Sequence, residues 1–293
     1  MPFVVDRRSF LKQSAGAAAL ATFGSHFAIP REKGDPNVRM ALLSDIHIAA
    51  DPNDSYRGFY PTQNLRRVLQ QVSQSHFDTM LINGDLARLE GRPADYSAIA
   101  SHLEPVVEKL PLLITLGNHD DRKSARNGIT DFRGAVQPVE KKLVMTFDTG
   151  AVNLILLDSL MATNVAAGQL GHSQREWLKQ EVHSLTKPTV IFVHHNLDPN
   201  DDNALVDAKA LLDIVRPASS IKAIVFGHTH AWNHTQMDGI HLVNVPAVAY
   251  NFEDAEPIGW VDASFTDRNA KLKLHAVGGN TVLHDHLLEL KWR

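Results

Sequence analysis

The sequence predicts an α/β protein whose parallel strands carry polar residues at their carboxyl ends. Two observations predict it. Short apolar runs recur at Val38–Leu43, Thr79–Ile82, Leu112–Leu116, Thr189–Val193 and Ile221–Phe226, with helix-like segments between them. Unbroken apolar runs of this length read as strands buried on both faces, as in parallel sheets. Each run also ends in a carboxylate, an amide or an imidazole, and in open α/β sheets ligands bind at the carboxyl ends of the strands.

In chain order, Val38–Leu43 ends in Ser44-Asp45-Ile46-His47, where alternation puts Asp45 and His47 on one face. A polar segment, Asp51–Thr62, is too long for a tight turn. Thr62 is placed to cap a helix with apolar positions Leu65, Val68, Leu69 and Val72. Thr79–Ile82 ends in Asn83-Gly84-Asp85, and a helix over Ala94–Lys109 precedes the strand that stops at Gly117-Asn118-His119-Asp120. Residues 121–135 are polar, with Gly128 and Gly134, and read as a loop. Leu143–Phe147 and Asn153–Asp158 read as strands joined by a turn at Asp148-Thr-Gly150. Ser173-Gln-Arg-Glu176 then has the pattern of a capping box opening a helix to Leu185, with Trp177, Leu178 and Val182 inward. After Pro188, Thr189–Val193 ends in His194-His195-Asn196. A helix over Ala204–Val215 follows, then Ile221–Phe226 ending in Gly227-His228-Thr229-His230. Alternation at Ile240–Val245, Gly259–Phe265 and Lys271–Ala276 predicts antiparallel strands closing a second sheet.

With 293 residues, 44% hydrophobic and 21% charged, the chain has ordinary globular composition and is long enough for a full core. A net charge of −4 gives no basic field for nucleic acid or anionic lipid. The absence of cysteine excludes disulfides, thiolate metal sites and a cysteine nucleophile. Asp6-Arg7-Arg8-Ser9-Phe10-Leu11-Lys12 precedes a small-residue apolar run, Ala15–Phe23, in the pattern of a twin-arginine export signal. The run is too short and too rich in Ala and Gly for a membrane span. Residues 1–34 are therefore expected to be signal and linker, with cleavage between Gly24 and Gly34. Residues 35–293 are expected to be the folded domain, handed to the twin-arginine export machinery and delivered to the periplasm or secreted.

Any one strand end has a bland reading: Asn118 and Asp120 suffice for an Asx turn, and a lone histidine such as His195 is commonly a hydrogen-bonded core residue. Five in the same topological position point to one site. Hard oxygen donors with imidazoles, and no thiolate, suit Mn, Fe or Zn. The donors are too many for one tetrahedral ion and suit two ions sharing a carboxylate. Such a pair, roughly 3.5–4 Å apart, clamps in-line displacement at phosphorus and lowers a shared water from pKa ~15.7 toward neutrality, providing hydroxide as nucleophile.

As an ordered set, Asp45-x-His47, Gly84-Asp85, Gly117-Asn118-His119-Asp120, His194 or His195, and Gly227-His228-x-His230 resembles the calcineurin-like metallophosphoesterase superfamily. Gly168-Gln-Leu-Gly171 and Asn244-Val-Pro246 resemble its branch of bacterial class III cyclic-nucleotide phosphodiesterases and glycerophosphodiesterases. The resemblance spans about Val38 to Pro246 and implies a four-layer α/β/β/α sandwich. It assigns Asp45, His47 and His230 to one divalent or trivalent ion, with Asp85 bridging. Asn118, His194 and His228 fall to the other. His119 would stabilise the pentacovalent state or protonate the leaving oxygen, and Asp120 would orient His119. His195 and Asn196 are expected near the substrate. Asn196-Leu-Asp-Pro199, where a proline usually follows directly, leaves His195 as an alternative ligand to His194. Arg88 stands near where an acidic or amide residue is usual. Segments 51–62, 121–135 and 197–203 are expected at the mouth, with Arg57, Tyr60 and Arg122 as phosphate or base contacts, each equally consistent with a solvated side chain. His172, His183, His241, His284 and His286 read as surface or strand-face residues.

The implied activity is hydrolysis of a small organic phosphodiester, a cyclic nucleotide or a glycerophosphodiester. A phosphomonoesterase on the same core is the near alternative, and a binding module that kept the fold without the chemistry is the alternative from another class. A zinc amide hydrolase would need His-Glu-x-x-His on a helix or a completed Asp-His run, and nothing nearby completes His284-Asp285-His286.

Overall fold

The computed structural model describes residues 37–130 and 132–293. The signal segment, its cleavage region and the boundary at residue 34 lie outside the described residues. Two mixed sheets form the centre of the molecule. In the first, β1 (Val38–Leu43), β2 (Thr79–Asn83) and β3 (Leu112–Thr115) run parallel. On the other side of β1 the sheet continues antiparallel through β11 (Pro257–Phe265), β12 (Asn269–Gly279) and β13 (Leu287–Lys291). The second sheet has the order β4 (Ala135–Val136), β5 (Met145–Asp148), β6 (Asn153–Leu156), β7 (Thr189–Phe192), β8 (Ile221–Phe226), β10 (Ile240–Asn244) and β9 (Asn233–Met237). Within it β6, β7, β8 and β10 are parallel.

Strand alternation sorts the second sheet's side chains into two layers. Leu154, Leu156, Val190, Phe192, Ala223, Val225 and Val243 join the core shared with the first sheet and with α1 (Pro61–Ser73) and α2 (Pro93–Val107). Their neighbours Ile155, Ile191, Val193, Ile224 and Leu242 face the other way, onto α4 (His172–Ser184) and α5 (Ala208–Val215). Helices, sheet, sheet and helices thus form the four layers of an α/β/β/α sandwich, because each parallel strand has apolar residues on both faces to bury.

Several local expectations are corrected. Ile240–Asn244 is antiparallel to β9 but parallel to β8, and β11 and β12, antiparallel as expected, extend the sheet of β1 instead of closing another. Alternation fixes which face a residue takes but not which edge its strand joins. Residues 122–128 form a short helix, α3 (Arg122–Gly128), capped by the Asp121 carboxylate, which accepts from the Ser124 amide at 2.7 Å. Thr62 lies inside α1, which starts at Pro61 after Tyr60 with no side-chain cap. Ser173 does not cap α4 either. The helix enters from Gly171, and the Asp207 carboxylate takes the amides of Leu170 and Gly171 at 3.0 Å each. No helix of the described residues is long and apolar enough to cross a membrane.

Arg122, expected at the mouth, instead grips Asp158 just after β6. Its Nε lies 2.7 Å and its Nη2 2.9 Å from the two oxygens of a fully buried carboxylate. Among the described residues, truncating Arg122 leaves the buried carboxylate with only Lys142, 3.8 Å away, as a cation partner, so Arg122→Ala is predicted to cost about 3 kcal/mol, the low end for breaking a buried pair, in urea denaturation. Lys209→Ala, in the exposed pair with Asp213, is predicted to change nothing measurable.

Candidate metal centre

The parallel strands of both sheets end on one edge, where the chain makes turns that few L-residues favour. Asp45 (φ 52°), His47 (φ 43°), Asp85 (φ 48°), His228 (φ 68°) and His230 (φ 55°) all occupy the left-handed region. That conformation costs a non-glycine residue on the order of 1 kcal/mol, and such residues cluster at functional sites. Glycines allow the close approach. A Cβ on Gly117 would lie 2.5 Å from the Asp85 amide and 2.7 Å from His194 Nε2, and Gly84 itself has φ +82°.

The side chains converge in two groups. Asp45, His47 and His230 bring ligand atoms together, as do Asp85, His194 and His228. His230 Nε2 is 3.3 Å from Asp45 Oδ1 and 3.2 Å from His47 Nε2. Asp85 joins the groups, its Oδ2 lying 3.4 Å from His194 Nε2 and 3.6 Å from His47 Nε2. The other oxygen of Asp85 accepts from the His119 amide at 2.8 Å.

Surrounding groups set which atoms face inward. His194 Nδ1 bonds the Asn83 carbonyl at 2.9 Å, and His230 Nδ1 the Tyr250 carbonyl at 2.6 Å. His47 Nδ1 approaches the Arg88 carbonyl at 3.3 Å. A carbonyl at Nδ1 fixes the tautomer that carries its proton there and leaves Nε2 with a free lone pair, the usual arrangement for a metal-binding imidazole. Asp45 Oδ2 accepts from the Ser44 hydroxyl and from the His228 amide, leaving Oδ1 free.

Among the described residues, the buried side-chain atoms lacking any hydrogen-bond partner are Asp45 Oδ1, Asn118 Oδ1 and His194 Nε2. An unpaired buried polar atom is costly. Here two are oxygen acceptors and the third is a ring nitrogen that becomes a lone-pair donor on losing its proton, all in one site, which is the arrangement a cation would satisfy. The protonation preferences agree. Burial pushes His47 down to about 3 and, with His194 beside it, His228 down to about 4, so both favour the neutral form that a metal ligand needs. Burial also opposes charge on His194, but Asp85 and Asp45 outweigh it and raise it to about 10. Burial would raise the carboxyls of Asp45 and Asp85, yet the neighbouring histidines hold both below the usual carboxylate range. Two carboxylates thus hold one imidazolium proton where a cation fits, and metal binding displaces such protons.

A cavity of about 300 Å³ opens above the cluster, lined by His47, Asp85, Asn118, His119, His228 and His230 together with Ala166, Asp201, Asn203, Thr229, Tyr250 and Phe252. His119 sits at its wall with Nδ1 on the Leu89 carbonyl at 3.0 Å. The expectation that Asp120 orients His119 is corrected. The Asp120 carboxylate is fully buried and takes the amides of Leu86, Ala87 and Gly117 and the hydroxyl of Tyr96, bracing the turn instead of the imidazole. Burial, with Asp85 nearby, pushes it up to about 6.

His195 and Asn196, expected at the substrate, do not line the cavity. His195 is fully buried, bonded at Nδ1 to Ser159 Oγ at 2.7 Å and at Nε2 to the Ala166 carbonyl at 3.1 Å. Both ring nitrogens are thereby engaged, which separates it from His194. Asn196 bonds Asp201 at 2.7 Å. Of the expected mouth segments, 197–203 contributes Asp201 and Asn203, whereas 51–62 reaches the aromatic wall from behind, through Tyr56 against Tyr250 and Arg57 on the Phe252 carbonyl, and 121–135 stays away. Sequence reasoning missed the aromatic wall. Tyr250 stacks on His47 with centroids 4.9 Å apart, and Phe252 on His230 at 4.3 Å. The signal available was two aromatics shortly after the strand ending at Asn244.

A metal that binds only the folded state stabilises it, by about 2.7 kcal/mol at a hundredfold excess over Kd. Calorimetry of chelator-stripped protein is predicted to show the melting temperature rising on addition of Mn²⁺ or Zn²⁺. Asp45→Asn is predicted to lose most of that rise.

Comparison with known proteins agrees with the geometry. The calcineurin-like phosphoesterase family profile matches residues 38–232. A cyclic nucleotide phosphodiesterase of Synechococcus, named as probable, is 26% identical over 75% of this chain and 85% of its own. The glycerophosphodiester phosphodiesterase GpdQ of Enterobacter lignolyticus is 26% identical over 74% of this chain and 81% of its own. A dimetal phosphatase from Danio rerio superposes with a TM-score of 0.67 at 16% identity, covering 88% of this chain and all of its own, and so shares the fold. The chain belongs to the calcineurin-like phosphoesterase family.

Proposed function

We propose that this chain is a dinuclear metal-dependent phosphodiesterase acting on small organic phosphodiesters, of the size of a cyclic nucleotide or a glycerophosphodiester. The observation that carries the reading is the pair of ligand groups meeting at Asp85 beneath an open cavity, with His119 at its wall. The names of the relatives, cyclic nucleotide and glycerophosphodiester phosphodiesterases, support a diester over other substrates.

Asp45, His47 and His230 would hold one ion and Asn118, His194 and His228 the other, with Asp85 between them. Such a pair supplies Lewis acidity toward the ester and an activated water. The remaining work falls to the chain. His119 is held by its amide on Asp85 and its Nδ1 on the Leu89 carbonyl, which leaves Nε2 for the substrate. In the imidazolium form that atom carries a second proton, which can pass to the departing ester oxygen and leave the ring neutral with its proton on Nδ1. Tyr250 and Phe252 close one side of the cavity and offer an apolar surface to an ester substituent.

Metal-stripped protein resupplied with Mn²⁺, Fe²⁺ or Zn²⁺ is predicted to hydrolyse bis(p-nitrophenyl) phosphate faster than p-nitrophenyl phosphate, and Asn118→Ala to abolish the restored activity. His119→Ala is predicted to lower kcat by roughly 10²–10⁴-fold with metal content unchanged, and by more for an alkoxide leaving group than for nitrophenolate. A preference for the monoester would replace the diesterase reading with a phosphatase. No turnover of either ester by protein with two bound ions would contradict it.

A further inference from the structure

The cavity has an unusual charge pattern for a phosphate site. Among the described residues that line it there is no lysine or arginine, and apart from Asp85 the one charged side chain is the carboxylate of Asp201. Both oxygens of that carboxylate are fixed. Oδ2 accepts from the Asn196 amide at 2.7 Å and Oδ1 from the Asn203 backbone at 2.9 Å. Asn196 is only 3% exposed, and its own Oδ1 is held by the Asp198 amide at 2.9 Å, so the support is rigid. Among the described residues no cation pairs with Asp201.

The nearby arginines are engaged elsewhere. Arg88 Nε pairs with Asp54 at 2.8 Å, and its guanidinium lies 5.0 Å from the centre of the Tyr56 ring. Arg57 donates to the Phe252 carbonyl at 2.5 Å. The cavity lining therefore presents an aromatic wall, with Arg57 and Arg88 behind it, and one fixed negative charge, Asp201, to whatever part of the ester extends beyond the metals.

A phosphomonoester carries a second negative charge above its second pKa of about 6, whereas a diester carries one charge. The extra charge must be placed in a cavity that already holds Asp201. We propose that Asp201, positioned by Asn196, is a specificity-determining residue that disfavours doubly charged monoesters and so selects singly charged diesters. The proposal rests on the phosphodiesterase reading above.

Repulsion between two unit charges across a half-open site is on the order of 1–2 kcal/mol, enough to change affinity about tenfold or more. The test compares kcat/KM for bis(p-nitrophenyl) phosphate and p-nitrophenyl phosphate at about pH 8, where the monoester is a dianion, in Mn²⁺-loaded wild type, Asp201→Asn and Asp201→Lys. Asp201→Asn is expected to shift the ratio about tenfold toward the monoester, mainly through KM, and Asp201→Lys further. The inhibition constant of orthophosphate is expected to fall in the same order. Wild type provides a second measurement that needs no variant: raising the salt concentration is expected to narrow the monoester's disadvantage. Equal changes for both esters in the variants, together with a salt-independent ratio in wild type, would overturn the proposal while leaving the diesterase reading intact. Absence of diester turnover in wild type would instead overturn that reading and this inference with it.

Discussion

The Asp85 carboxylate stands where the two sheets meet, with one oxygen fixed by the His119 amide and the other facing the Nε2 atoms of His47 and His194. Much of the molecule follows from keeping that oxygen shared. The ends of β1, β2 and β3 in one sheet must meet the ends of β7 and β8 in the other. The backbones can come that close only where a side chain is missing, and Gly117 supplies the gap. The Asp120 carboxylate then ties the turn after β3 to the turn after β2 through the amides of Gly117, Leu86 and Ala87. Asn118 and His119 lie between these anchors. The inward-facing carboxyl thus acts as a rivet for the backbone, and its contribution to His119 is made through the chain and not through the imidazole.

The site is an expensive piece of structure in the protein alone. Five candidate ligands in the left-handed region, at on the order of 1 kcal/mol each, are a large fraction of a typical domain's stability of about 5–15 kcal/mol. Three unpaired polar atoms in the same place add to it. Such a cost persists where surrounding structure over-determines the geometry, and here the four-layer core does so on both sides. A bound cation offsets the unpaired atoms and the like charge of Asp45 and Asp85, coupling folding to metal binding.

The ligand-bearing strand ends were legible because the signal is local: an apolar run followed at once by Asp, Asn or His says both strand and site. Layer assignment was legible for the same reason, since Leu154 and Ile155 had to face opposite ways. Strand pairing was not. Ile240–Asn244 has an alternation compatible with either direction, and only the course of the chain makes it parallel to β8. The role of Asp120 was also hidden, because a carboxylate after Asn-His can bond the ring or the backbone, and Tyr96, which helps decide it, is distant in sequence. His194 and His195 were separable only by their partners. The Ser159 hydroxyl and the Ala166 carbonyl that engage His195 come from a loop the sequence left unassigned. Cavity walls formed by Tyr250, Phe252 and Asp201 depend on loop paths, which no periodicity encodes.

The central claim is that two ions share one carboxylate, and the most direct measurement is metal stoichiometry with anomalous scattering from crystals of the Mn²⁺-loaded protein. The account predicts two ions per chain, roughly 3.5–4 Å apart, on either side of Asp85. It further predicts that Asp85→Asn weakens both ions, whereas Asn118→Ala weakens only the one held with His194 and His228. A single ion per chain, or two ions of unchanged occupancy in Asp85→Asn, would contradict it.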